Sequence, residues 1–202
     1  MPWQFSFYDQ HGLRFRENLE RFHCHATSAG GAQCRNICVM GEPYCWTHLL
    51  YQKHLRIKKS RIQGAGKGCF VMNPKQPNNA VIIHANQDIL NYHGEIINRH
   101  TLNERYGRHT APYTVEVSRP RNLYEDGALD RSPMACVNAP PQGVQANCRL
   151  TTNQQRTFIK MKAIRDLRNG EELYADYGAD YWRGNRDRGH NGPVHHDTRY
   201  VR

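Results

Sequence analysis

Cysteines crowd the start of the chain at a spacing that suits a metal site. They form the pattern Cys24-x9-Cys34-x3-Cys38-x6-Cys45-x2-His48. Zinc takes four tetrahedral thiolate or imidazole ligands, which two short loops can bring together. So short a segment buries little apolar surface, so bound metal would supply its folding energy. The spacing predicts a closed zinc site without catalytic function, and a set of inert buried thiols is the alternative.

The same stretch, RFHCHATSAGGAQCRNICVMGEPYCWTHL, resembles a small zinc module of the pattern C-x-A-T-x-x-G-x-x-C…Y-C-x-x-H. The resemblance implies that the four ligands are Cys24, Cys34, Cys45 and His48. Cys38 is then extra, and His23 and His25 are alternative ligands. Seven cysteines, an odd number with four crowded together, favour reduced thiols over a disulfide framework, as in the cytosol or nucleus.

Four further motifs follow one another along the chain. The first, KKSRIQGAGKGCF, is glycine-rich, and glycine allows positive φ and close approach of a ligand to the backbone. It is not a dinucleotide fingerprint, because no helix pattern follows Gly68. The other three are Tyr92-His93-Gly94, the segment DGALDRSPMACVNAPPQGVQANCRL and the segment NGEELYADYG. Taken singly, each motif also fits an ordinary turn or a half-buried strand.

Taken together, in order and spacing, these motifs resemble the SET family of protein-lysine methyltransferases over residues 55–182. The resemblance implies S-adenosylmethionine as cofactor, Tyr177 as the catalytic tyrosine and Tyr92 as a wall of the lysine channel. The implied cofactor contacts are Gly66, Lys67, Gly68, Asn138, Ala139 and Trp182. It also implies small sheets around a pseudoknot, in which the last motif threads beneath the loop of the third.

The third motif departs from the family pattern. Ala139 stands where histidine is usual, Met134-Ala135 replaces Ala-Arg, and an insertion rich in Pro and Gln follows. These departures leave open a second interpretation, a non-enzymatic zinc-containing chromatin adaptor on a decayed SET scaffold. Retention of Tyr92, Asn138 and Tyr177 favours the enzyme.

Two features near the last motif concern product and assembly. Ala175 lies two positions before the tyrosine, where the family sets its product, and a small side chain there favours multiple methylation. The ending Gly178-Ala179-Asp180-Tyr181-Trp182 resembles the compact SET proteins of large DNA viruses, in which two copies can pair. The resemblance thus predicts a homodimer and a terminal aromatic that completes the cofactor pocket.

The charge balance indicates an anionic partner. The 202 residues include 28 Lys and Arg against 18 Asp and Glu, a formal charge of +10. The charge suits a DNA contact through basic surface. The SET resemblance implies a histone tail or nucleosome as the substrate, in the nucleus of a host or in a viral factory. A non-histone lysine is the alternative substrate. No apolar run could cross a bilayer and no apolar leader is present, so no membrane partner is expected.

The pattern of elements predicts a mainly β fold with short helices. The expected divisions are an N-terminal arm at 1–20, the Cys/His module at 21–50, the SET domain at 55–182 and a polar tail at 183–202. Predicted strands cover 80–83, 89–97, 113–117, 157–164 and 172–177. A T-x-x-E capping box predicts a short helix opening at Thr101. No long helix recurs between the strands, which argues against a doubly wound α/β fold.

Overall fold

The structure is a computed structural model that describes residues 22–39, 42–107, 111, 113–128 and 132–178, together with two strands near the N-terminus. Those strands, β1 (Trp3–Tyr8) and β2 (Arg14–Leu19), pair antiparallel in the segment that we expected to be an arm of uncertain order. The predicted cofactor residue Trp182 and the predicted polar tail lie outside the described residues.

The rest of the described chain is mainly β with two short helices, which confirms the predicted fold class. The helices are α1 (Trp46–Lys53) and α2 (Arg99–Tyr106). The strands are β3 (Leu55–Lys59), β4 (Lys67–Val71), β5 (Val81–Ile83), β6 (Asp88–Asn91), β7 (Glu95–Asn98), β8 (Thr114–Ser118), β9 (Leu123–Asp126), β10 (Cys148–Thr152), β11 (Ile159–Ala163) and β12 (Leu167–Arg168). Among the described residues, no helix is long and apolar enough to span a membrane.

The strands form several small antiparallel sheets rather than one large one. Two sheets have three strands, in the orders β10-β11-β6 and β7-β9-β8, and β3 pairs with β4 while β12 pairs with β5. Side chains of β11 alternate, with Ile159, Met161 and Ala163 buried and the lysines between them half-buried. That alternation directs one face of each strand into a single core.

The Cys/His module is in contact with this core. Helix α1 begins directly after Cys45, inside the predicted Cys/His module, and continues beyond residue 50, where the module was expected to end. Leu49 is fully buried in the main core, and the half-buried Tyr44 and Trp46 pack against that core. Leu49 on α1 therefore joins the module to the sheets.

Two predicted element boundaries were wrong. Helix α2 begins at Arg99, because the Asn98 carboxamide accepts a 2.9 Å hydrogen bond from the Thr101 N–H and caps the helix before the expected position. The predicted strand at 89–97 is broken into β6 and β7. Gly94 lies in the break, where a Cβ would come within 2.6 Å of the Asp126 backbone.

The last motif threads between distant parts of the chain instead of forming the continuous strand predicted at 172–177. The Ala175 N–H donates to the Asn138 carbonyl at 3.0 Å, and the Asn147 N–H donates to the Tyr174 carbonyl at 3.0 Å. Isolated parallel bridges join these segments. The segment thus passes between the two ends of the loop 139–146, which is the predicted pseudoknot.

Candidate functional site

The glycine-rich turn connects β3 to β4 and presents open backbone. Gly64 and Gly66 have φ of +81° and +70°, a region that side chains with a Cβ rarely adopt. The Ser60 N–H donates to the Gly66 carbonyl at 2.9 Å and closes the turn. Both glycines are exposed, so a ligand can approach their backbone closely.

Asn138 fixes this turn to the third motif. Its side chain is buried and donates from Nδ2 to the Lys67 carbonyl at 3.0 Å and to Ser60 Oγ at 3.3 Å. Ala139, the next residue, is half-buried. The structure therefore places two of the predicted cofactor residues, Lys67 and Asn138, in direct contact, and their role toward a cofactor stays a prediction.

A buried carboxylate that the sequence analysis did not single out lies beneath the turn. Glu172 Oε1 accepts from Ser60 Oγ at 2.6 Å, and Oε2 accepts from the Arg61 N–H at 2.8 Å and from Tyr174 Oη at 3.0 Å. Burial and the neighbouring Glu172 charge raise the pKa of Tyr174 to about 12. Glu172 thus joins the first and last motifs. The signal in the sequence was an acidic residue inside a predicted strand.

Gly68 packs on this carboxylate. A Cβ at Gly68 would lie 2.1 Å from Glu172 Oε1, which is far inside van der Waals contact. The structure therefore gives a packing reason for glycine at this position. Its predicted contact with a cofactor stays a prediction.

Tyr177 ends the last motif beside the third. Its hydroxyl donates to the Val137 carbonyl at 2.5 Å, one residue before Asn138, and the ring is half-buried. The threaded last motif therefore brings the predicted catalytic tyrosine to the segment that holds the glycine-rich turn. The two motifs are about forty residues apart in the chain, so only the pseudoknot unites them.

Tyr92 lies next to the sheet β7-β9-β8. It is buried, and its hydroxyl donates to the Tyr113 carbonyl just before β8. Gly127 packs against it, since a Cβ there would lie 2.7 Å from the Tyr92 hydroxyl. This contact holds the tyrosine against the chain that leaves β9.

The segment next to Tyr92 is anchored by the fully buried carboxylate of Asp126. Arg105 of α2 donates to Asp126 at 2.8 Å and to Glu95 at 2.6 Å, and Thr114 donates to Asp126 at 3.1 Å. Tyr106 also donates to this carboxylate, and burial and the Asp126 charge raise the pKa of its phenol. The network ties α2 to all three strands of the sheet.

The four predicted metal ligands converge in the N-terminal module. The ligand atoms of Cys24, Cys34, Cys45 and His48 all lie within 4.8 Å of one another. His48 Nδ1 is 3.4 Å from Cys24 Sγ and 3.3 Å from Cys45 Sγ. The extra cysteine and the two alternative histidines are not in this cluster, and His23 contacts the Arg35 carbonyl instead.

Cys45 is poised as a thiolate. Burial alone would raise its pKa, but hydrogen bonds from His48 and from the Asn36 side chain outweigh burial and lower the pKa to about 6. The thiolate is the form of cysteine that binds metal. The donor set of three cysteines and one histidine fits a zinc ion, and the lowered pKa of Cys45 favours its metal-binding form.

Comparison with known proteins gives a likeness in structure and none in sequence. No protein-family model matches the chain, and no curated protein matches it. A chain of the Chaetomium thermophilum polycomb repressive complex 2 is 21% identical, with a TM-score of 0.50, over 62% of this chain and 15% of that one. A chain of an active polycomb repressive complex 2 in the stimulated state gives the same values.

A third solved structure agrees with these two. A humanized mutant of the Chaetomium thermophilum complex, bound to an inhibitor, has a TM-score of 0.50 at 21% identity, over 65% of this chain and 16% of that one. The chain spans less than a fifth of the proteins that it matches. At this identity the likeness concerns the fold, and the described chain has a SET-like, mainly β fold with a Cys/His cluster near its N-terminus.

Proposed function

We propose that the chain is an S-adenosylmethionine-dependent protein-lysine methyltransferase that acts on a histone tail in chromatin. One observation carries the proposal. The pseudoknot brings the open glycine-rich turn, Asn138 and Tyr177 to one junction, through the Asn138–Lys67 and Tyr177–Val137 hydrogen bonds. Methyl transfer to lysine needs a pocket that holds the methyl donor and, beside it, a hydroxyl that orients the amine.

The glycine-rich turn and Asn138 fit the cofactor. S-adenosylmethionine supplies an electrophilic methyl group on a positively charged sulfur. Exposed backbone at Gly66 leaves room for a ligand, and buried Asn138 holds the Lys67 carbonyl in place. The half-buried Ala139 leaves its backbone to contact an adenine where the family has histidine. Trp182 is the proposed cap of this pocket.

Tyr177 is the proposed catalytic tyrosine. Methyl transfer is an in-line displacement that needs alignment and a neutral amine. Lysine in water keeps its proton to a pKa near ~10.4, and desolvation in a narrow channel lowers that pKa. The Tyr177 hydroxyl donates to the Val137 carbonyl, which leaves its lone pairs to accept a hydrogen bond from the amine and orient it. Tyr92 is the proposed wall of the channel.

The edge of the sheet β7-β9-β8 is the proposed place for the substrate peptide. Among the described strands, β8 lies at the edge of the sheet, where a peptide could pair with it as an added strand. Tyr113, just before β8, receives the Tyr92 hydroxyl on its carbonyl. A peptide that pairs beside residues 113–117 would therefore pass the proposed channel.

The Cys/His cluster is the proposed structural zinc site. Zinc at its usual distances to sulfur and nitrogen places neighbouring ligand atoms about 3.5 Å apart in a tetrahedron. The distances of 3.3 and 3.4 Å from His48 to the two cysteines match this edge. With four protein ligands, the site has no position open for a substrate.

Three finer parts belong to the same proposal. Ala175, which is buried and small, favours multiple methylation of the lysine. Two copies pair, as in the compact viral SET proteins that residues 178–182 resemble. The protein works in a nucleus or a viral factory, where the +10 charge suits a nucleosome.

A chromatin adaptor without catalytic activity is the second candidate, and the absence of histidine at Ala139 favours it. Cofactor binding separates the two. Titration calorimetry with S-adenosylmethionine should show binding by the wild type and at least about tenfold weaker binding by Asn138→Ala, because the turn loses its anchor. No binding by the wild type would favour the adaptor. Comparing nucleosomes, free octamers and non-histone proteins as methyl acceptors then identifies the substrate class.

A further inference from the structure

The β3–β4 hairpin, residues 55–71, is strongly basic. It carries five cationic side chains and no acidic one: Arg56, Lys58, Lys59, Arg61 and Lys67. The first four are exposed and Lys67 is half-buried. These five lie between positions 56 and 67 of the sequence, and the β3–β4 pairing brings the two strands that carry them side by side.

Two of the cations are held in position by an aromatic ring. Lys58 Nζ lies 4.2 Å from the centroid of the fully buried Phe70 ring, and the Arg61 guanidinium lies 5.5 Å from it. Arg61 also donates to the Gly170 carbonyl at 2.8 Å. Because these side chains are already ordered, binding an anion costs them little conformational entropy.

Four of the hairpin's five cations have no carboxylate partner among the described residues. Within the part of the chain that the structure describes, Arg56, Lys58, Lys59 and Arg61 form no ion pair, whereas on β11 both lysines pair with Asp88. The carboxylate that contacts the hairpin, Glu172, is buried and accepts its hydrogen bonds from Ser60 and the Arg61 backbone.

The pairing of β3 with β4 places two positive charges next to each other. Lys59 lies directly opposite Lys67 at the end of the β3–β4 pairing. The pair adds two positive charges at the turn end of the hairpin.

We propose that the β3–β4 hairpin binds the phosphate backbone of duplex DNA. Arg56 and Lys58 point to the same face of β3, about 6.6 Å apart, a spacing comparable to that of successive phosphates along a strand. Lysine and arginine contacts to phosphate give affinity without sequence preference. Proteins that bind single strands stack bases on exposed aromatics, but the hairpin's one aromatic residue, Phe70, is fully buried.

This surface goes beyond the proposed methyl transfer and does not depend on it. The hairpin includes the glycine-rich turn, so bound DNA would lie next to the proposed cofactor site. On a nucleosome, that arrangement would hold the enzyme near the histone tails. DNA binding is nevertheless expected without cofactor, and failure of the transferase proposal would leave it in place.

The test compares two triple variants of the full chain that lose the same charge. The hairpin variant is Arg56→Gln, Lys58→Gln and Arg61→Gln, three cations on the face that carries Phe70. The control variant is Lys160→Gln, Lys162→Gln and Arg165→Gln, whose cations already pair with carboxylates. Circular dichroism first confirms that both fold. Fluorescence anisotropy then measures binding to a labelled DNA duplex of mixed sequence between about 50 and 200 mM salt.

We expect the hairpin variant to lose at least about tenfold in affinity and to reduce the slope of log affinity against log salt by about 2.7, or ~0.9 for each lost phosphate contact. The control should stay within about threefold of the wild type, because its cations are already neutralised. Equal loss in both variants would overturn the proposal, since general charge would explain it. Unchanged binding by the hairpin variant would also overturn it, as would preference for a single strand or for polyglutamate over the duplex.

Discussion

A few side chains join the glycine-rich turn to the last motif by hydrogen bonds, and Glu172 is the central one. It accepts hydrogen bonds from Ser60, more than one hundred positions earlier in the chain, and from the backbone of Arg61. It also packs against Gly68. A carboxylate so placed acts on the chemistry through the glycine-rich turn, and we treat it as a positioning residue.

We expect Glu172→Gln to weaken cofactor binding at least about tenfold and to lower the free energy of unfolding by about 1–3 kcal/mol. The amide keeps the shape but replaces one acceptor with a donor, which faces the Ser60 hydroxyl or the Arg61 N–H and leaves a buried group unsatisfied. Calorimetry with S-adenosylmethionine and urea unfolding measure the two effects.

The neighbouring Glu171 supplies the matched control. It is half-buried and lies 2.8 Å from the exposed Arg165 in an ion pair, and pairs open to solvent contribute about 0–1 kcal/mol. Glu171→Gln should therefore leave cofactor affinity unchanged. Equal cofactor affinity in both glutamine variants would show that Glu172 does not position the turn.

At the scale of single residues, the sequence identified the motif residues better than the residues that they contact. Tyr177 and Asn138 stand in recognisable motifs, and the structure brings their segments together. Glu172 was missed because its importance comes from burial and from partners far away in the chain. Neither property is visible in local spacing.

Secondary-structure elements around Tyr92 are joined by the Asp126 network rather than by apolar packing alone. Asp126 is fully buried, and Arg105 of α2 bridges it to Glu95 of β7. The helix is short and mostly exposed, so this ion network is what holds it on the sheet. The orientation of the proposed peptide edge depends on it.

We expect Arg105→Leu to lower the free energy of unfolding by about 3 kcal/mol. Removing the guanidinium leaves the Asp126 charge buried with only neutral donors. Arg119→Leu is the control, because its ion pair with Glu116 is exposed and should contribute less than about 1 kcal/mol. Urea unfolding followed by fluorescence measures both, and similar midpoints for the two variants would contradict the network's role.

Elements were predicted best where the pattern is local. β8, β11 and the short helix α2 lie within one or two residues of their predicted places. The segment 172–177 was wrong as a continuous strand, because its backbone pairs with two distant segments at isolated bridges. Such pairing follows from the threading of the chain and leaves no periodic pattern in the sequence.

At the scale of the described chain, the metal module and the sheets are in contact: the module's small buried cluster and the main core are separate, and Tyr44 packs against both. The module holds its four ligands together, and α1, which begins at its end, buries Leu49 among the residues of the sheets. Loss of the metal should therefore disturb more than the module. The likeness to solved structures extends over only 62 to 65% of the chain in the three comparisons above.

We expect a strong zinc chelator to lower the melting temperature by at least about 5 °C, because metal binding provides folding energy that α1 transmits to the core. Thiol titration should show the same event. Burial raises the pKa of Cys38, but it is only half-buried and lies outside the cluster, so it should react slowly even before chelation. The three ligand cysteines, Cys24, Cys34 and Cys45, should react only after chelation.

The remaining thiols provide an internal control. Burial raises the pKa of Cys148 to about 12 and holds that of Cys69 well above its usual value, so both should stay unreactive while the protein is folded. Thermal melting and absorbance of the released thiol reagent give the readouts. Equal reaction rates of the module cysteines with and without chelator would argue that they hold no metal.

Methyl transfer itself is the most direct test of the proposed function. Recombinant nucleosomes and labelled S-adenosylmethionine would be incubated with the wild type and with Tyr177→Phe, which keeps the ring and removes only the hydroxyl. We predict labelled histone with the wild type and a loss of about 10²-fold or more with the variant, the scale of a lost orienting group at a reaction centre. No transfer by the wild type to nucleosomes or free histones, together with no cofactor binding, would contradict the enzyme and leave the adaptor.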